Sequence, residues 1–276
     1  MINQSHPWIS VNGELFQASP IIQWKAPPVY EVMRLIDGIP LFFDEHIERL
    51  KHSLALMGYQ EIGNPKQLYK NIVELAQKND IKAHNMRLEM GVNALGEKMS
   101  VLYGVTTFYP DATYYREGVE TVTTEIVRDT PHAKVINQAY LTHISQIKLE
   151  YNVFEVIIMD SHHKLAEGSK SNLFFVKGDT LYSAKSKDIL MGITRLKILE
   201  VAKALSITLI EDDISLKDLP QFEACFISGT SIHILPVKKI NDQIFDTVHH
   251  GVIRRLSNAF EALIQEDIQK TRRNYQ

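Results

Sequence analysis

The stretch Leu165-Ala-Glu-Gly-Ser-Lys-Ser-Asn-Leu-Phe-Phe175 sets one carboxylate, Glu167, among small polar residues just before an apolar run. Taken alone, such a glutamate is a solvated turn residue. Further along, Ile189-Leu-Met-Gly-Ile-Thr-Arg195 runs directly into a helix. The N–H groups of Gly192, Ile193 and Thr194 are free at such a start, the dipole favours an anion, and Thr194 adds a hydroxyl. That is a phosphate seat, although simple N-capping by Thr194 fits the same residues. Phe226-Ile-Ser-Gly-Thr-Ser231 ends an apolar strand in hydroxyl and glycine residues. It supplies either a second set of phosphate or carboxylate donors or an ordinary strand exit. Lys134, within His132-Ala-Lys-Val-Ile-Asn137, has apolar neighbours of the kind that lower an amine's pKa, as Schiff-base chemistry requires. Many lysines in such places merely snorkel.

Together, a lysine, a carboxylate and two phosphate-type loops are the parts that hold pyridoxal 5'-phosphate. The lysine bonds the aldehyde, the carboxylate keeps the pyridine nitrogen protonated so that the ring accepts electrons, and the loops bind the phosphate. No one of these motifs is diagnostic by itself, and no metal site is read.

The elements that must position them follow from the pattern. Ile9–Phe16 forms a hairpin turning at Asn12-Gly13, and Tyr30–Ile36 pairs with Pro40–Phe43 across Asp37-Gly38. Asp44 caps a helix with Ile47, Leu50, Leu54 and Met57 at helical spacing and Gly58 as the stop. Asn64 and Pro65 open a second helix with Leu68, Ile72 and Leu75 on one face. Strands around 86–92 and 99–109 precede a junction in the turn-rich 110–118 segment. Then come a strand over Glu120–Val127, a helix with Ile136, Tyr140, Ile144 and Ile147 on one face, and a buried strand at Val156–Met159. Strands 174–176 and 180–183 pair across Gly178-Asp179, a helix runs from about Thr194, and a last helix over roughly 247–269 ends in a polar tail.

Composition bounds the function classes. Thirty Lys+Arg against 33 Asp+Glu give a net charge of −3, scattered without a basic block, which argues against nucleic acid or an anionic membrane as partner. The single cysteine, Cys225, sits in an apolar run as a core thiol. No basic start precedes an apolar segment and no apolar run approaches a membrane span, so a soluble cytoplasmic protein is expected.

With these residues in place, the sequence resembles the class IV, fold-type IV pyridoxal-phosphate enzymes. That family includes branched-chain aminotransferases, D-amino-acid aminotransferases and 4-amino-4-deoxychorismate lyases. The resemblance runs from about residue 9 to residue 240 and is carried by His46–Leu50, Lys134–Asn137, Glu167–Phe174, Leu190–Arg195 and Ser228–Ser231. Spacing agrees, with 33 residues from Lys134 to Glu167 and 27 from Glu167 to Thr194. The resemblance implies that Lys134 bonds the cofactor and moves the proton at the substrate Cα, and that Glu167 partners the pyridine nitrogen. It also implies that Arg49, Gly192, Ile193, Thr194, Gly229 and Thr230 serve the phosphate, while Leu190 packs on the ring face. Tyr30, Arg87 and Ser231 match substrate positions, and Asn172 is a tie for the loop around Glu167.

The chain also departs from the family pattern. The loop before Tyr30 is the shorter Gln23-Trp-Lys-Ala-Pro-Pro28, Gln138 stands where tyrosine is common, and Met90-Gly91 replaces the arginine-glycine of the D-amino-acid enzymes. Val32 occupies the position where lyase members often carry threonine. An aminotransferase acting on branched-chain-like amino acids and 2-oxo acids is therefore expected. The alternatives are a lyase releasing pyruvate and 4-aminobenzoate, and an inactive relic with a structural role. The implied architecture is an α+β or α/β chain of two domains: a small N-terminal α/β domain at 1–113 and a larger one at 114–276 with a barrel-like sheet. The cofactor would lie in the cleft between them and the molecule would be a homodimer.

Overall fold

The computed structural model describes residues 4–17, 22–59, 63–126, 134 and 137–275. Two units result, one from Met1–Phe108, Ala133–Asn137 and Ile264–Gln276, the other from Tyr109–His132 and Gln138–Leu263. Against the expected division at 113/114, the first boundary falls at Phe108/Tyr109. The chain also returns to the first unit twice, with the Lys134 segment and with the end of the last helix.

The first unit contains β1 (Ile9–Val11), β2 (Glu14–Phe16), β3 (Val29–Ile36), β4 (Ile39–Pro40), α1 (Phe43–Leu56), α2 (Pro65–Lys78), β5 (His84–Val92) and β6 (Lys98–Gly104). Its strands form an antiparallel sheet in the order β2-β1-β6-β5-β3-β4. Both tight hairpins place two residues at positive φ, Asn12 with Gly13 and Asp37 with Gly38, which matches the right-handed twist of the strands they join. β3 alternates buried and half-buried positions along its whole length. One face of the sheet, with Met33, Leu35, Met86, Leu88 and Leu102, packs on Phe43, Ile47, Leu50 and Leu54 of α1 and on Tyr69, Ile72 and Leu75 of α2. Each such side chain contributes about 1.5–3 kcal/mol when fully buried. The opposite face carries Tyr30, Val32, Arg87, Glu89 and Tyr103, as the strand register requires.

Asn64 caps α2 as expected, accepting from Lys66 N–H at 2.9 Å with Pro65 in the first position. The start of α1 differs from expectation. Its cap position is Phe42, in the left-handed region at φ 52, and no side chain of the helix caps it. Phe42 N–H instead donates to Asp267 Oδ2 at 2.6 Å, while Asp44, the expected cap, accepts from the Tyr275 hydroxyl at 2.6 Å.

The second unit contains α3 (Ala112–Glu117), β7 (Val119–Glu125), α4 (Gln138–Tyr151), β8 (Glu155–Met159), β9 (Lys164–Gly168), β10 (Asn172–Lys177), β11 (Thr180–Ser183), α5 (Ile193–Ala204), β12 (Thr208–Glu211), β13 (Ile214–Ser215), β14 (Ala224–Gly229), β15 (His233–Ile240) and β16 (Gln243–Ile244). The sheet is mixed, in the order β12-β11-β10-β14-β15-β7-β8-β9-β13, with β16 also on β15. β15 is shared between two halves: His233–Pro236 run antiparallel to β14, and Val237–Ile240 run parallel to β7 with a register shift between Val237 and Lys239. The path ends at β12 and β13, so among the described residues the sheet is not closed into the expected barrel. Phe175, Phe222, Phe245, Leu235 and Val237 fill one core, and Ile144 of α4 covers Val156 and Ile158 of β8. Val127 and Ile136, expected in the strand and helix that flank Lys134, lie outside the described residues.

The last helix, α6 (Gly251–Tyr275), extends through the tail that was expected to be irregular. Its end is anchored: Tyr275 stacks on Tyr69 with ring centroids 4.7 Å apart, and Thr271 is buried. Among the described residues no helix is long and apolar enough to cross a membrane.

The Asp267 carboxylate therefore holds the entry to α1 from a site far along the chain. Asp267→Ala is expected to lower unfolding stability by about 1–3 kcal/mol, the cost of a buried donor left unmade. It would be seen as a reduced urea midpoint at unchanged slope.

Candidate active site

The candidate residues fall into two groups, one in each unit. In the second unit Glu167, near the end of β9, is 3% exposed, so the reading as a solvated turn residue does not apply. Its Oε1 accepts from Leu190 N–H at 3.0 Å and its Oε2 from Asn172 Nδ2 at 2.9 Å. The same Asn172 amide donates to the Leu190 carbonyl at 2.9 Å. Asn172 opens β10, where the chain leaves the turn, and lies opposite Ser228 of β14. It also explains Gly192: a Cβ there would stand 2.1 Å from Asn172 Oδ1, so the position requires glycine for space.

The turn after Glu167 is fixed by a second buried carboxylate. Glu155 accepts from the hydroxyls of Ser169 at 2.5 Å and Ser171 at 3.1 Å, and from Lys148 Nζ at 3.0 Å. Burial pushes its carboxyl up, but Lys148 and the donated hydrogen bonds outweigh this and hold it below its usual range. Gly168 fits only because it lacks a Cβ, which would lie 2.0 Å from Ser171 Oγ.

Gly192 is the N-cap residue of α5 and no side chain caps the helix. Thr194 is the second residue inside the helix and buried, which sets aside the capping reading. The N–H groups of Ile193, Thr194 and Arg195 are those an α-helix cannot satisfy itself, at the end where its dipole attracts an anion. Arg195 is fully buried and donates to Glu211 at 2.7 Å, tying α5 to β12. Gly229 ends β14, and Thr230 and Ser231 form the half-exposed turn to β15, closed by Ile232 N–H on the Gly229 carbonyl at 3.2 Å. The Ser228 hydroxyl is buried with no hydrogen-bond partner among the described residues. Glu167, Leu190 and Gly192 are thus gathered around one asparagine. Thr194 follows two residues on, and Gly229 and Thr230 follow its strand partner.

In the first unit the Lys134 carbonyl accepts from Tyr30 N–H at 2.9 Å, and Lys134 Nζ stands 5.0 Å from the Tyr30 ring centroid. Arg87 lies over the same ring, its Cζ 4.0 Å from the centroid. Arg87 Nε donates to Glu89 Oε1 at 2.8 Å, and the Tyr103 hydroxyl donates to the same oxygen at 2.6 Å. Lys134, Tyr30 and Arg87 therefore lie together around one aromatic ring.

Strand alternation sends the next residue the other way. Glu31, 1% exposed, accepts from His46 Nδ1 at 2.7 Å and takes Arg49 on both oxygens, from Nε and from the terminal nitrogen, each at 2.7 Å. Burial pushes the Glu31 carboxyl up, but the Arg49 guanidinium and His46 outweigh it and hold it at about 2. Burial lowers His46 against the opposing pull of Glu31, and the charges of Arg49 and Lys134 push it further down. Arg49 is consequently not a solvated helix arginine; its planar fork is oriented by a bidentate carboxylate.

Glu31, Glu89 and Glu155 are the residues that inspection of the sequence did not single out. Glu31 carried a signal, since Val29-Tyr-Glu-Val-Met-Arg-Leu-Ile36 places a carboxylate at a core-facing position of a period-two strand. Glu89 carried none, since it shares the polar face of β5 with Asn85 and Arg87 and its burial comes from Tyr103 and Arg87. The shorter loop before Tyr30 is seated by Lys25 N–H on the Val92 carbonyl at 2.9 Å, and Trp24 fills the space beside Gly91. Among the described residues no group of three or more His, Cys, Asp or Glu side chains could hold a metal ion.

Comparison with known proteins adds an independent line. The sequence profile of the amino-transferase class IV family matches residues 28–240. D-alanine aminotransferase of Bacillus licheniformis is 26% identical over 253 residues, 87% of each chain. Aminodeoxychorismate lyase of Bacillus subtilis is 27% identical over 230 residues, 78% of each chain. The fold is similar to that of the branched-chain amino acid aminotransferase of Escherichia coli, with TM-score 0.84 and 23% identity over 94% of this chain and 95% of that one.

The two buried clusters set two expected outcomes. Glu31 and His46 both bind protons less readily when folded, so the stability they provide at neutral pH is lost on acidification. The loss begins as His46 charges in the unfolded chain below about 6.5 and continues for Glu31 from 4.5 to about 2. Urea midpoints across that range should fall toward acid, and Glu31→Gln should flatten the segment below 4.5. Gly192→Ala should cost about 1–3 kcal/mol by overpacking, and part of this should return when Asn172→Ala is added, as measured by urea unfolding of the single and double variants.

Proposed function

Because this chain belongs to the class IV aminotransferase family, we propose that it moves an amino group between an amino acid, branched-chain-like in type, and a 2-oxo acid. Enzymes of this class use pyridoxal phosphate. The observation that carries the reading is the buried Glu167 bracket beside the start of α5, which no side chain caps. Those residues fit the group: a buried carboxylate for a ring nitrogen, unclaimed N–H groups at a helix start for a phosphate, and an orphaned Ser228 hydroxyl on the neighbouring strand.

When bound, the cofactor supplies an aldehyde that takes up the amino group and a ring that accepts electrons from the substrate Cα. In this proposal Lys134 Nζ holds the aldehyde and then removes the proton from the substrate Cα. Glu167 keeps a proton on the ring nitrogen, and its two hydrogen bonds from Asn172 and Leu190 fix its direction. Thr194, Ile193, Gly192, Gly229, Thr230 and Arg49 serve the phosphate, and Leu190 packs on the ring. Tyr30, Arg87 and Ser231 meet the substrate. Within the same proposal the enzyme is a cytoplasmic homodimer.

The 27% identical Bacillus subtilis lyase supports a second reading, 4-amino-4-deoxychorismate cleavage. It shares the first proton removal and differs in what leaves. Against it stands Val32, an apolar residue on the Tyr30 face of the sheet directly opposite Arg87.

Purified holoprotein should show visible absorption that Lys134→Ala abolishes. Mixing with a panel of L- and D-amino acids should convert that absorption to the amino form. Glu167→Gln should keep the cofactor yet lose most turnover. Silence across the panel together with pyruvate release from aminodeoxychorismate would replace transfer by the lyase reading.

A further inference from the structure

The loop that brings Leu190 to Glu167 and the helix start that follows it belong to one parallel β-α-β unit. β11 leads through the 3₁₀ turn Ser186–Asp188 and the loop after it into α5, and α5 returns to β12, which pairs parallel with β11. In such a unit the helix begins at the end of the sheet where both strands finish, so the last residue of β12 stands beside the exit of β11. Glu211 is that residue, in register with Ser183.

The Glu211 carboxylate holds both ends of the connection. At its start, Glu211 Oε1 accepts from the Ser186 hydroxyl and Oε2 from Ser186 N–H at 3.3 Å. At its far end, Oε1 accepts from Arg195, the third residue of α5, at 2.7 Å. Arg195 is fully buried, its Nε and Nη1 have no hydrogen-bond partner among the described residues, and its Cζ lies 5.7 Å from the Phe174 ring centroid. A buried guanidinium with one acceptor takes its position from that acceptor. Asp213 also takes Lys185 and Lys164, but these charges lie at the surface, where screening leaves them little weight.

Between the two ties lie Leu190, with its N–H on Glu167 and its carbonyl on Asn172, and then Gly192, Ile193 and Thr194. No side chain caps α5, so its first turn is aimed by its ties to other elements, Asn172 against Gly192 on one side and Glu211 on Arg195 on the other. We infer that Arg195 and Glu211 are positioning residues for the anion seat at the start of α5. The clamp they close through Ser186 fixes the direction of the N–H groups that receive a phosphate. The inference rests on the reading of that seat under the proposed function and adds the residues that hold it.

The test compares pyridoxal phosphate with pyridoxal, which lacks only the phosphate, by equilibrium dialysis against the full chain freed of cofactor. Glu211→Gln should weaken pyridoxal phosphate by about tenfold to a hundredfold and leave pyridoxal unmoved. Ser186→Ala opens one tie and leaves Arg195 paired, so it carries the comparison even where Glu211→Gln does not fold. It should weaken pyridoxal phosphate alone by about twofold to tenfold, the worth of one hydrogen bond. Hydrogen exchange gives a reading without any ligand: in Ser186→Ala, peptides covering 186–196 should exchange faster and those covering 224–229 should not. Equal weakening of both ligands, unchanged affinity for pyridoxal phosphate in Ser186→Ala, or faster exchange throughout the second unit would overturn the inference. A wild type that binds inorganic phosphate but not pyridoxal phosphate would sink the aminotransferase reading alone. The effect of Ser186→Ala on inorganic phosphate would then decide the clamp, weakening supporting it and no change overturning it. A wild type that binds none of the three would overturn both.

Discussion

The side-chain amide of Asn172 is the constraint on which the second unit's candidate site depends. One nitrogen ties Glu167 to the Leu190 carbonyl, and the amide oxygen occupies the space that a Cβ on Gly192 would need. The strand that aims Glu167, the loop that carries Leu190 and the first turn of α5 are therefore set by a single planar group. Such a group fixes direction as well as distance. The cost of burying Glu167 is offset by the two hydrogen bonds it accepts, which also deny it alternative rotamers.

The first unit solves a different problem with the period of a strand. Tyr30 and Glu31 are neighbours in sequence but face opposite sides of the sheet. Glu31 is driven into the helix-packed core, where an unpaired charge would be intolerable, and it is satisfied by His46 and a bidentate Arg49 from α1. That pairing places Arg49 and fastens α1 to β3. Tyr30 is left on the other face, with Lys134 and Arg87 around its ring. A shift of one residue in register would exchange the two roles and bury the tyrosine where the helix charges lie.

Buried carboxylates recur with distinct partners. Glu155 answers to hydroxyls and a lysine, Glu31 to a histidine and an arginine, Glu167 to two neutral N–H donors, and Glu89 to an arginine and a phenol. The partners divide them by task. Glu155 and Glu31 are saturated and hold elements together. Glu167 accepts from the Asn172 amide and the Leu190 N–H, which fix its direction beside the start of α5.

By itself the sequence determined the local elements and the chemistry-bearing types. The Asn12-Gly13 and Asp37-Gly38 turns, the Asn64-Pro65 helix start and the order of Lys134, Glu167, Leu190–Arg195 and Ser228–Ser231 rest on backbone preferences and spacing that a few adjacent residues express. The tertiary structure decided what those residues meet. Asp267 replaces Asp44 at the start of α1 from 225 positions away, and Tyr275 turns an expected polar tail into helix by stacking on Tyr69. Among the described residues the sheet of the second unit passes from antiparallel to parallel pairing along β15 and does not close. Burial of Glu31, Glu89 and Glu155 likewise depends on partners from other elements: His46 and Arg49 of α1, Tyr103 of β6, Lys148 of α4 and the hydroxyls of the turn after β9. Local patterns report the conformations a segment prefers, whereas the partner of a buried charge is fixed only when long-range packing excludes water from it.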